Sequence, residues 1–359
     1  MVVGRAGEML KKIKIGKKII SENKPVFIIA EAGVNHNGSL NKAFLLIDEA
    51  VKAKANCIKF QTFTANELVL KKSPKAIYQL KNTNPKESQF EMLKKLELKK
   101  EDYFKLNNYC LKKKILFLST PYNESDVDFL DKINVKAFKL ASIHAAEPFF
   151  LKYVAKKNKA MILSTGMANL EEIDCAVKEI KKTINKKLIL LQCTTNYPSS
   201  NLDANLLTIK TLSKRYNTIV GYSDHTLGFL TSILSIGLGA KVIEKHFTLD
   251  KNMRGPDHKN SLNTKEFKQF VKIIRESEDA LGSGLKKPSL SEKKNIFGMR
   301  RSLVSKRDIF KGEKFNESMV CLKRPMSGIQ PKFILKLKGK KIIKDIPSNT
   351  TIKWHHLKK

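Results

Sequence analysis

Short apolar runs alternate along this chain with longer stretches whose apolar residues recur every three or four positions. The runs 26–30, 57–60, 115–118, 137–140, 161–163, 188–192, 218–222 and 241–243 read as strands. Helical spacing holds over 40–53, 87–112, 124–131, 147–157, 169–183, 203–214 and 228–239, with a last such stretch at 264–280; the 87–112 segment is long enough to break in two. Eight strands, each followed by a helix, over about 250 residues predict an α/β fold, a (β/α)8 TIM barrel spanning 26–281. A doubly wound open sheet is the alternative. It usually carries a Gly-rich phosphate turn after its first strand, and no G-x-G-x-x-G follows Ala30.

The flanks differ from the barrel. Within 1–25, Ile13-Lys14-Ile15 and Lys18-Ile19-Ile20 alternate around Gly16 and predict a short hairpin placed to plug the barrel's lower end. Residues 282–294 read as a linker. Short β-like segments at 302–305, 342–343 and 351–353 alternate with turns and predict a small β-rich unit over 295–359.

Polar residues gather where the apolar runs end. Glu31 follows the first run, and the second ends Lys59-Phe60-Gln61. Thr120 follows the third, while Lys139 and Ser142 mark the fourth and Ser164 the fifth. Tyr197 comes after the sixth, Ser223 and His225 after the seventh, His246 after the eighth, and Asp257 in the turn beyond. In a barrel these places lie on the C-terminal rim, where catalytic residues collect. His225 and His246 on neighbouring strand ends can hold a divalent metal and leave positions open for substrate oxygen. Lys59 and Lys139 lie within apolar runs and face either an anion inside the barrel or solvent outside. Together with the hydroxyls of Thr120, Ser142, Ser164 and Ser223 they would form a cradle for phosphate or carboxylate. Glu31, an acid in an apolar run, is costly to bury without a role.

Composition narrows the partners. The formal net charge is +35, yet 61 of the 69 basic residues are Lys, spread along the whole chain. No block of Arg interleaved with aromatics appears, so a specific nucleic-acid site is not expected. No apolar run approaches the roughly 20 residues of a membrane span, and no signal-peptide pattern opens the chain; a soluble cytoplasmic protein is expected. The five cysteines (57, 110, 175, 193 and 321) are scattered and suggest neither a disulfide framework nor a zinc finger.

Six segments carry a resemblance: Ile28-Ile-Ala-Glu31-Ala-Gly-Val-Asn-His36-Asn-Gly38, Ile58-Lys-Phe-Gln61-Thr62, Leu118-Ser-Thr-Pro121, Leu163-Ser-Thr-Gly-Met167, Gly221-Tyr-Ser-Asp-His225 and Glu244-Lys-His-Phe-Thr-Leu-Asp250. Together they resemble the sialic acid synthase family, which includes N-acetylneuraminate, legionaminate and pseudaminate synthases. The tail, from Arg301-Ser-Leu-Val-Ser305 through Lys311-Gly-Glu313 to Lys323-Arg324-Pro325, resembles that family's antifreeze-like (SAF) domain. The resemblance covers roughly 13–355.

It implies a TIM barrel with a SAF domain exchanged across a homodimer. The implied reaction is metal-dependent condensation of phosphoenolpyruvate with an N-acetylated mannosamine, releasing phosphate. N-acetylneuraminate is the first-choice product and legionaminate, from a 2,4-diacetamido-6-deoxy sugar, the alternative. By resemblance His225 and His246 hold manganese or magnesium, and Glu31 stabilises the reacting centre. Lys59, Thr120, Lys139, Ser142, Ser164 and Ser223 bind phosphoenolpyruvate. Gln61, Tyr197 and Asp257 face the sugar, and Arg324 comes from the partner's small domain to the N-acetyl group.

Three places depart from the family pattern. Ser142-Ile143-His144 stands where Ser-Gly-Glu is usual, Thr195-Asn196 follows the sixth strand, and Arg254 precedes Gly-Pro-Asp. The first suggests that His144 takes over a proton-transfer or substrate-binding role. Two other readings stay open: a barrel aldolase using free pyruvate, which would not need the lysine cradle, and a non-catalytic sugar- or polyanion-binding descendant.

Overall fold

A computed structural model describes residues 11–358. The chain divides into two compact units, Met1–Gly282 and Ser283–Lys359. The expected N-terminal hairpin has its first ten residues outside the described ones. Its remainder forms β1 (Lys12–Ile15) and β2 (Lys18–Ser21), paired antiparallel around Gly16.

Eight parallel strands make the first unit a nearly closed barrel: β3 (Phe27–Gly33), β4 (Cys57–Thr62), β5 (Leu116–Pro121), β6 (Ala137–Leu140), β7 (Ala160–Ser164), β8 (Leu188–Cys193), β9 (Ile219–Asp224) and β10 (Val242–His246). The hydrogen-bonded order runs β5-β4-β3-β10-β9-β8-β7-β6, and β5 lies against β6 without a ladder. Helices follow the strands, as the apolar spacing predicts. The 87–112 stretch does break in two, into Gln89–Lys94 and Lys100–Lys113. The helix expected at 203–214 instead occupies Thr208–Tyr216, because the chain makes a run of turns after β8 before it can enter a helix.

Side chains alternate across each strand, which sorts the barrel into two apolar layers. Outward residues such as Ile28, Ile58, Phe138, Leu163, Leu190 and Ile243 pack against the helices. Inward residues Phe27, Ile29, Cys57, Leu118, Ala137, Ile162, Ile189, Leu191, Ile219 and Val242 fill the lower interior, and Ile13, Ile15 and Ile20 of the hairpin join them. The lower half of the barrel is therefore a dry, stoppered core. Gly221 belongs to this packing: a Cβ there would lie 2.3 Å from the Val242 carbonyl oxygen, so β9 and β10 can approach closely only with glycine at that position.

The second unit opens with a helix at Leu290–Met299, where the sequence suggested a linker up to 294. Ser289 accepts from the Glu292 amide and Glu292 accepts from the Ser289 amide, a reciprocal cap that starts a helix even where no apolar face is buried. Beyond it β11 (Ser302–Ser305) pairs antiparallel with β12 (Val320–Lys323). Leu303, Ile309, Phe315, Val320, Ile329, Leu337, Ile342, Ile346, Ile352 and Leu357 form this unit's own core.

Candidate active site

Seven of the eight strands run past the ends that the apolar pattern suggested, β6 alone stopping at the expected Leu140, and the last inward residues are polar. Alternation carries inwardness from Phe27 and Ile29 to Glu31, from Cys57 to Lys59, from Leu118 to Thr120, from Ala137 to Lys139, from Ile162 to Ser164, and from Val242 to Glu244 and His246. Both lysines thus face the interior. Register places Glu31 beside Lys59 and His246, Ser223 beside Glu244, and Gln61 beside Thr120.

These residues form one buried charge network. Lys59 Nζ lies 2.8 Å from Glu31 Oε1 and 3.7 Å from Glu244 Oε1, and donates to Thr120 Oγ1 at 3.2 Å. Lys139 Nζ lies 3.6 Å from Glu244 Oε1 and donates to Ser164 Oγ at 2.8 Å. Ser223 Oγ donates to Glu244 Oε1 at 3.3 Å. Ser142 sits at the edge of the cluster, its Oγ accepting from the Gly166 amide at 3.0 Å. A register shift after Glu31 brings Gly33 into the left-handed region, φ +52°; a Cβ there would lie 3.2 Å from Glu31 Oε1.

The charges are uneven in predictable ways. Burial raises the Glu31 pKa to about 7 even though Lys59 opposes it. Burial also works against the charge on Glu244, but Lys139 and Lys59 outweigh that and hold its carboxylate below the ordinary range. Burial acts to lower Lys59, and Glu244 and Glu31 reverse the effect and raise it. Lys139 stays lowered by burial despite Glu244. Asp257 is pushed up by burial to about 6, opposed by His225 and Lys59.

Above this network sit the imidazoles. His225 and His246 have ring centroids 5.4 Å apart. His225 Nδ1 donates to the Thr194 carbonyl at 2.7 Å, which orients the ring and leaves Nε2 as a lone-pair donor. His246 Nδ1 is buried without a partner, and burial together with His225 holds this ring well below the usual histidine range, so it stays neutral. Paired imidazoles, one with an orphaned buried nitrogen, suit a divalent cation. Among the described residues no group of three or more His, Cys, Asp or Glu converges on a metal position; a cation held here would complete its shell with water and substrate oxygens. Glu31 Oε2 and Glu244 Oε2 are likewise buried and unpartnered.

Of the sugar-side candidates, Tyr197 packs directly against the histidines. The Tyr197 ring lies 4.0 Å from His225 and 5.6 Å from His246. Gln61 Oε1 accepts from Tyr122 Oη at 3.3 Å. Arg324 belongs to the second unit, where it is exposed and its Nε donates to the Met299 carbonyl at 3.0 Å.

Two histidines have structural roles here. His144 is fully buried, with Nε2 against the Pro121 carbonyl at 3.1 Å and Nδ1 against Glu147 Oε2 at 2.7 Å. With both nitrogens engaged it offers none to a substrate, which corrects the proton-transfer role expected from the sequence. His258 bonds Thr248 and Asn37 through its two nitrogens. The residues that sequence reasoning missed are Glu244 and Tyr122. Period-two alternation back from His246 would have found Glu244; Tyr122 carried no signal of its own.

Comparison with known proteins bears on the fold and the family. Residues 46–286 match the NeuB family and residues 300–358 match the SAF domain. The chain is 48% identical to the N,N'-diacetyllegionaminic acid synthase of Campylobacter jejuni, over 85% of this chain and 92% of that protein. It is 42% identical to the N,N'-diacetyllegionaminic acid synthase of Legionella pneumophila, over 92% of this chain and 94% of that one. The crystal structure of the N-acetylneuraminic acid (sialic acid) synthetase of Leptospira borgpetersenii, in complex with citrate, superposes with a TM-score of 0.71 at 37% identity, covering 80% of this chain and 96% of that one. Two family matches that together span most of the chain, and named synthases similar over most of their length, show that the protein belongs to the NeuB family of phosphoenolpyruvate-dependent sugar synthases.

Proposed function

We propose that this enzyme condenses phosphoenolpyruvate with the open-chain aldehyde of an N-acetylated mannosamine-type sugar, giving a nonulosonic acid and free phosphate. The observation that carries the reading is the buried network beside the imidazole pair: two lysines and three hydroxyls converge on one end of the barrel. Lys59, Lys139, Thr120, Ser164, Ser223 and Ser142 receive the phosphate and carboxylate of phosphoenolpyruvate. A free-pyruvate aldolase would have no use for a second buried lysine in this cradle.

His225 and His246 would hold manganese or magnesium, which supplies Lewis-acid polarisation of the acceptor's aldehyde. The enol carbon attacks that carbonyl, water adds to the resulting cation at the pyruvyl carbon, and the tetrahedral adduct expels phosphate. Glu31, with a pKa near the working range at about 7, takes the proton of the added water. Gln61, Tyr197 and Asp257 orient the sugar, and Arg324 serves its N-acetyl group.

The sequence alone put N-acetylneuraminate first. The legionaminic acid synthases among the relatives support the diacetamido trideoxy acceptor instead, with N-acetylmannosamine second. A cytoplasmic location and an exchanged homodimer belong to this proposal as well. No helix of the described residues is long and apolar enough to cross a membrane, and sedimentation equilibrium giving only monomer would remove the dimer.

The direct test is phosphate release from phosphoenolpyruvate and manganese with each sugar in parallel. Turnover with one sugar, abolished in His246→Ala, supports the reading. Binding of phosphoenolpyruvate without turnover of either sugar would favour the non-catalytic alternative.

A further inference from the structure

Tyr122 lies on the polar rim of the barrel, directly after β5, where the register already sets Gln61 beside Thr120. Its Oη donates to Gln61 Oε1 at 3.3 Å. The rest of the residue is held in place. Its amide donates to Asp126 Oδ2 at 3.1 Å, and its ring meets Phe63 edge-on with centroids 6.0 Å apart. His144 braces it twice, through the Pro121 carbonyl that precedes it and through ring centroids 5.8 Å apart. Burial, opposed by Lys59, pushes its phenol up, so the hydroxyl keeps the hydrogen it donates.

The consequence falls on Gln61. Its main-chain carbonyl accepts from Tyr103 Oη at 2.6 Å, which pins the backbone and leaves the side-chain amide free to turn. An amide can show a neighbour either its oxygen or its nitrogen, and the hydrogen-bond partners decide which. Here Oε1 takes the Tyr122 hydrogen and Nε2 is directed elsewhere. A Cβ on Gly33 would lie 3.6 Å from Gln61 Nε2, 3.2 Å from Glu31 Oε1 and 3.6 Å from His246 Cε1. The three groups therefore border one small space that a glycine at position 33 keeps clear. With the amide reversed, its oxygen would stand on the side of the Glu31 carboxyl, acceptor towards acceptor. As held, Gln61 offers N–H donors beside the acid and the imidazole.

We propose that Tyr122 is a positioning residue for the acceptor sugar: by donating to Gln61 Oε1 it keeps the Gln61 amide nitrogen turned to the reacting end, where that nitrogen binds an oxygen of the sugar. The inference rests on the synthase reading above and adds to it a residue that acts through Gln61 and needs no contact with the sugar itself. The histidine at position 144 gains an indirect part as well, since it holds the peptide that leads into Tyr122.

The experiment follows phosphate release with manganese, varying the diacetamido sugar or N-acetylmannosamine at saturating phosphoenolpyruvate, and then varying phosphoenolpyruvate. Tyr122→Phe removes the hydroxyl and keeps the ring against Phe63 and His144. It is expected to lower kcat/KM for the sugar that the wild type uses by about tenfold, the order of one lost hydrogen bond. KM for phosphoenolpyruvate and the melting curve by circular dichroism should stay as in the wild type. Gln61→Ala should lower the same sugar constant at least as much, and adding Tyr122→Phe to it should cost nothing further, because the group that Tyr122 positions is gone. A tyrosine with a purely structural role would instead lower the melting temperature and disturb both substrates alike. A sugar constant unmoved in folded Tyr122→Phe, equal effects on both substrates, or losses that add in the double variant overturns the positioning role and leaves the synthase reading intact. No phosphate release by the wild type with either sugar overturns the synthase reading and this role with it.

Discussion

Glu31 shows how a single side chain can carry both chemistry and cost. Its carboxyl has a folded-state pKa of about 7 against an ordinary value of 4.5, driven first by burial. Between those two pH values the folded chain keeps a proton that the unfolded chain has released, so stability falls as pH rises through that window. Glu31→Gln is expected to flatten that part of the slope; denaturant midpoints between pH 4.5 and pH 8 for both proteins would show it, and parallel slopes would refute it. If Glu31 takes the water proton, wild-type kcat should rise with pH through about 7, and the variant should lose about 10²–10⁴ in turnover together with that limb. Glu31 was legible as an acid in an apolar run. Glu244 was not singled out, although it bridges Lys59 and Lys139, because it lies one residue from a lysine in a run that ends at His246, and only the pleat reveals which of the three share a face.

At the level of elements, the segment from β9 into the following helix decides where His225 stands. Asp224 turns away from the reacting side: its Oδ1 accepts from the Thr226 amide and hydroxyl at 2.8 Å, and its Oδ2 accepts from Ser232 Oγ at 2.6 Å and lies 2.9 Å from Lys245 Nζ. This buried pair ties β9, β10 and helix Leu230–Gly237 together behind the metal-binding candidates. Removing one partner of such a pair leaves the other charge buried alone, at a cost of about 3–5 kcal/mol. Asp224→Ala should show a loss of that order in urea unfolding, along with weaker manganese binding through the displaced His225; a loss below about 1 kcal/mol would mean that Lys245 finds water instead. The strands were legible in place and order but not in length. Apolar patterning stops where the inward face turns polar, yet the ladder continues as long as neighbours pair, so Glu31, Gln61, Thr120, Ser164, Ser223 and His246 lie within the strands, while His225, Tyr197 and Asp257 follow them.

For the whole molecule, the two units carry separate cores, so calorimetry is expected to resolve two unfolding transitions. A ligand that binds only the folded barrel stabilises it by about 2.7 kcal/mol at a hundred times its Kd. Phosphoenolpyruvate with manganese should therefore raise the barrel's transition and leave the SAF unit's in place. A single transition that moves as one would contradict this. The net charge of +35 does not alter the picture. Lys59 and Lys139, proposed to receive phosphoenolpyruvate, are among the few buried lysines of the described residues, whereas some surface lysines form ordinary pairs such as Lys52–Glu49 and Lys105–Asp102.

Local chemistry was sufficient for the architecture. Apolar periodicity is a property of neighbouring residues, so it determined eight strands, their helices, the plugging hairpin and the placing of polar residues at one end of the barrel. The cap at Ser289 and Glu292 was equally local and simply went unread. What only the tertiary structure decided depends on pairs far apart in the chain. Ring closure turns Lys59 and Lys139 inward and sets Glu244 between them, 185 and 105 residues away in sequence. Burial in that closed ring, which no local pattern encodes, sets the charge of Glu31. Packing of Pro121 and Glu147 against His144 consumes both its nitrogens. Pairing of β4 with β5 brings Tyr122 to Gln61, 61 residues away in sequence. Solvent exclusion and the orientation of charges are collective outcomes of the fold, and the specificity of the site follows from them.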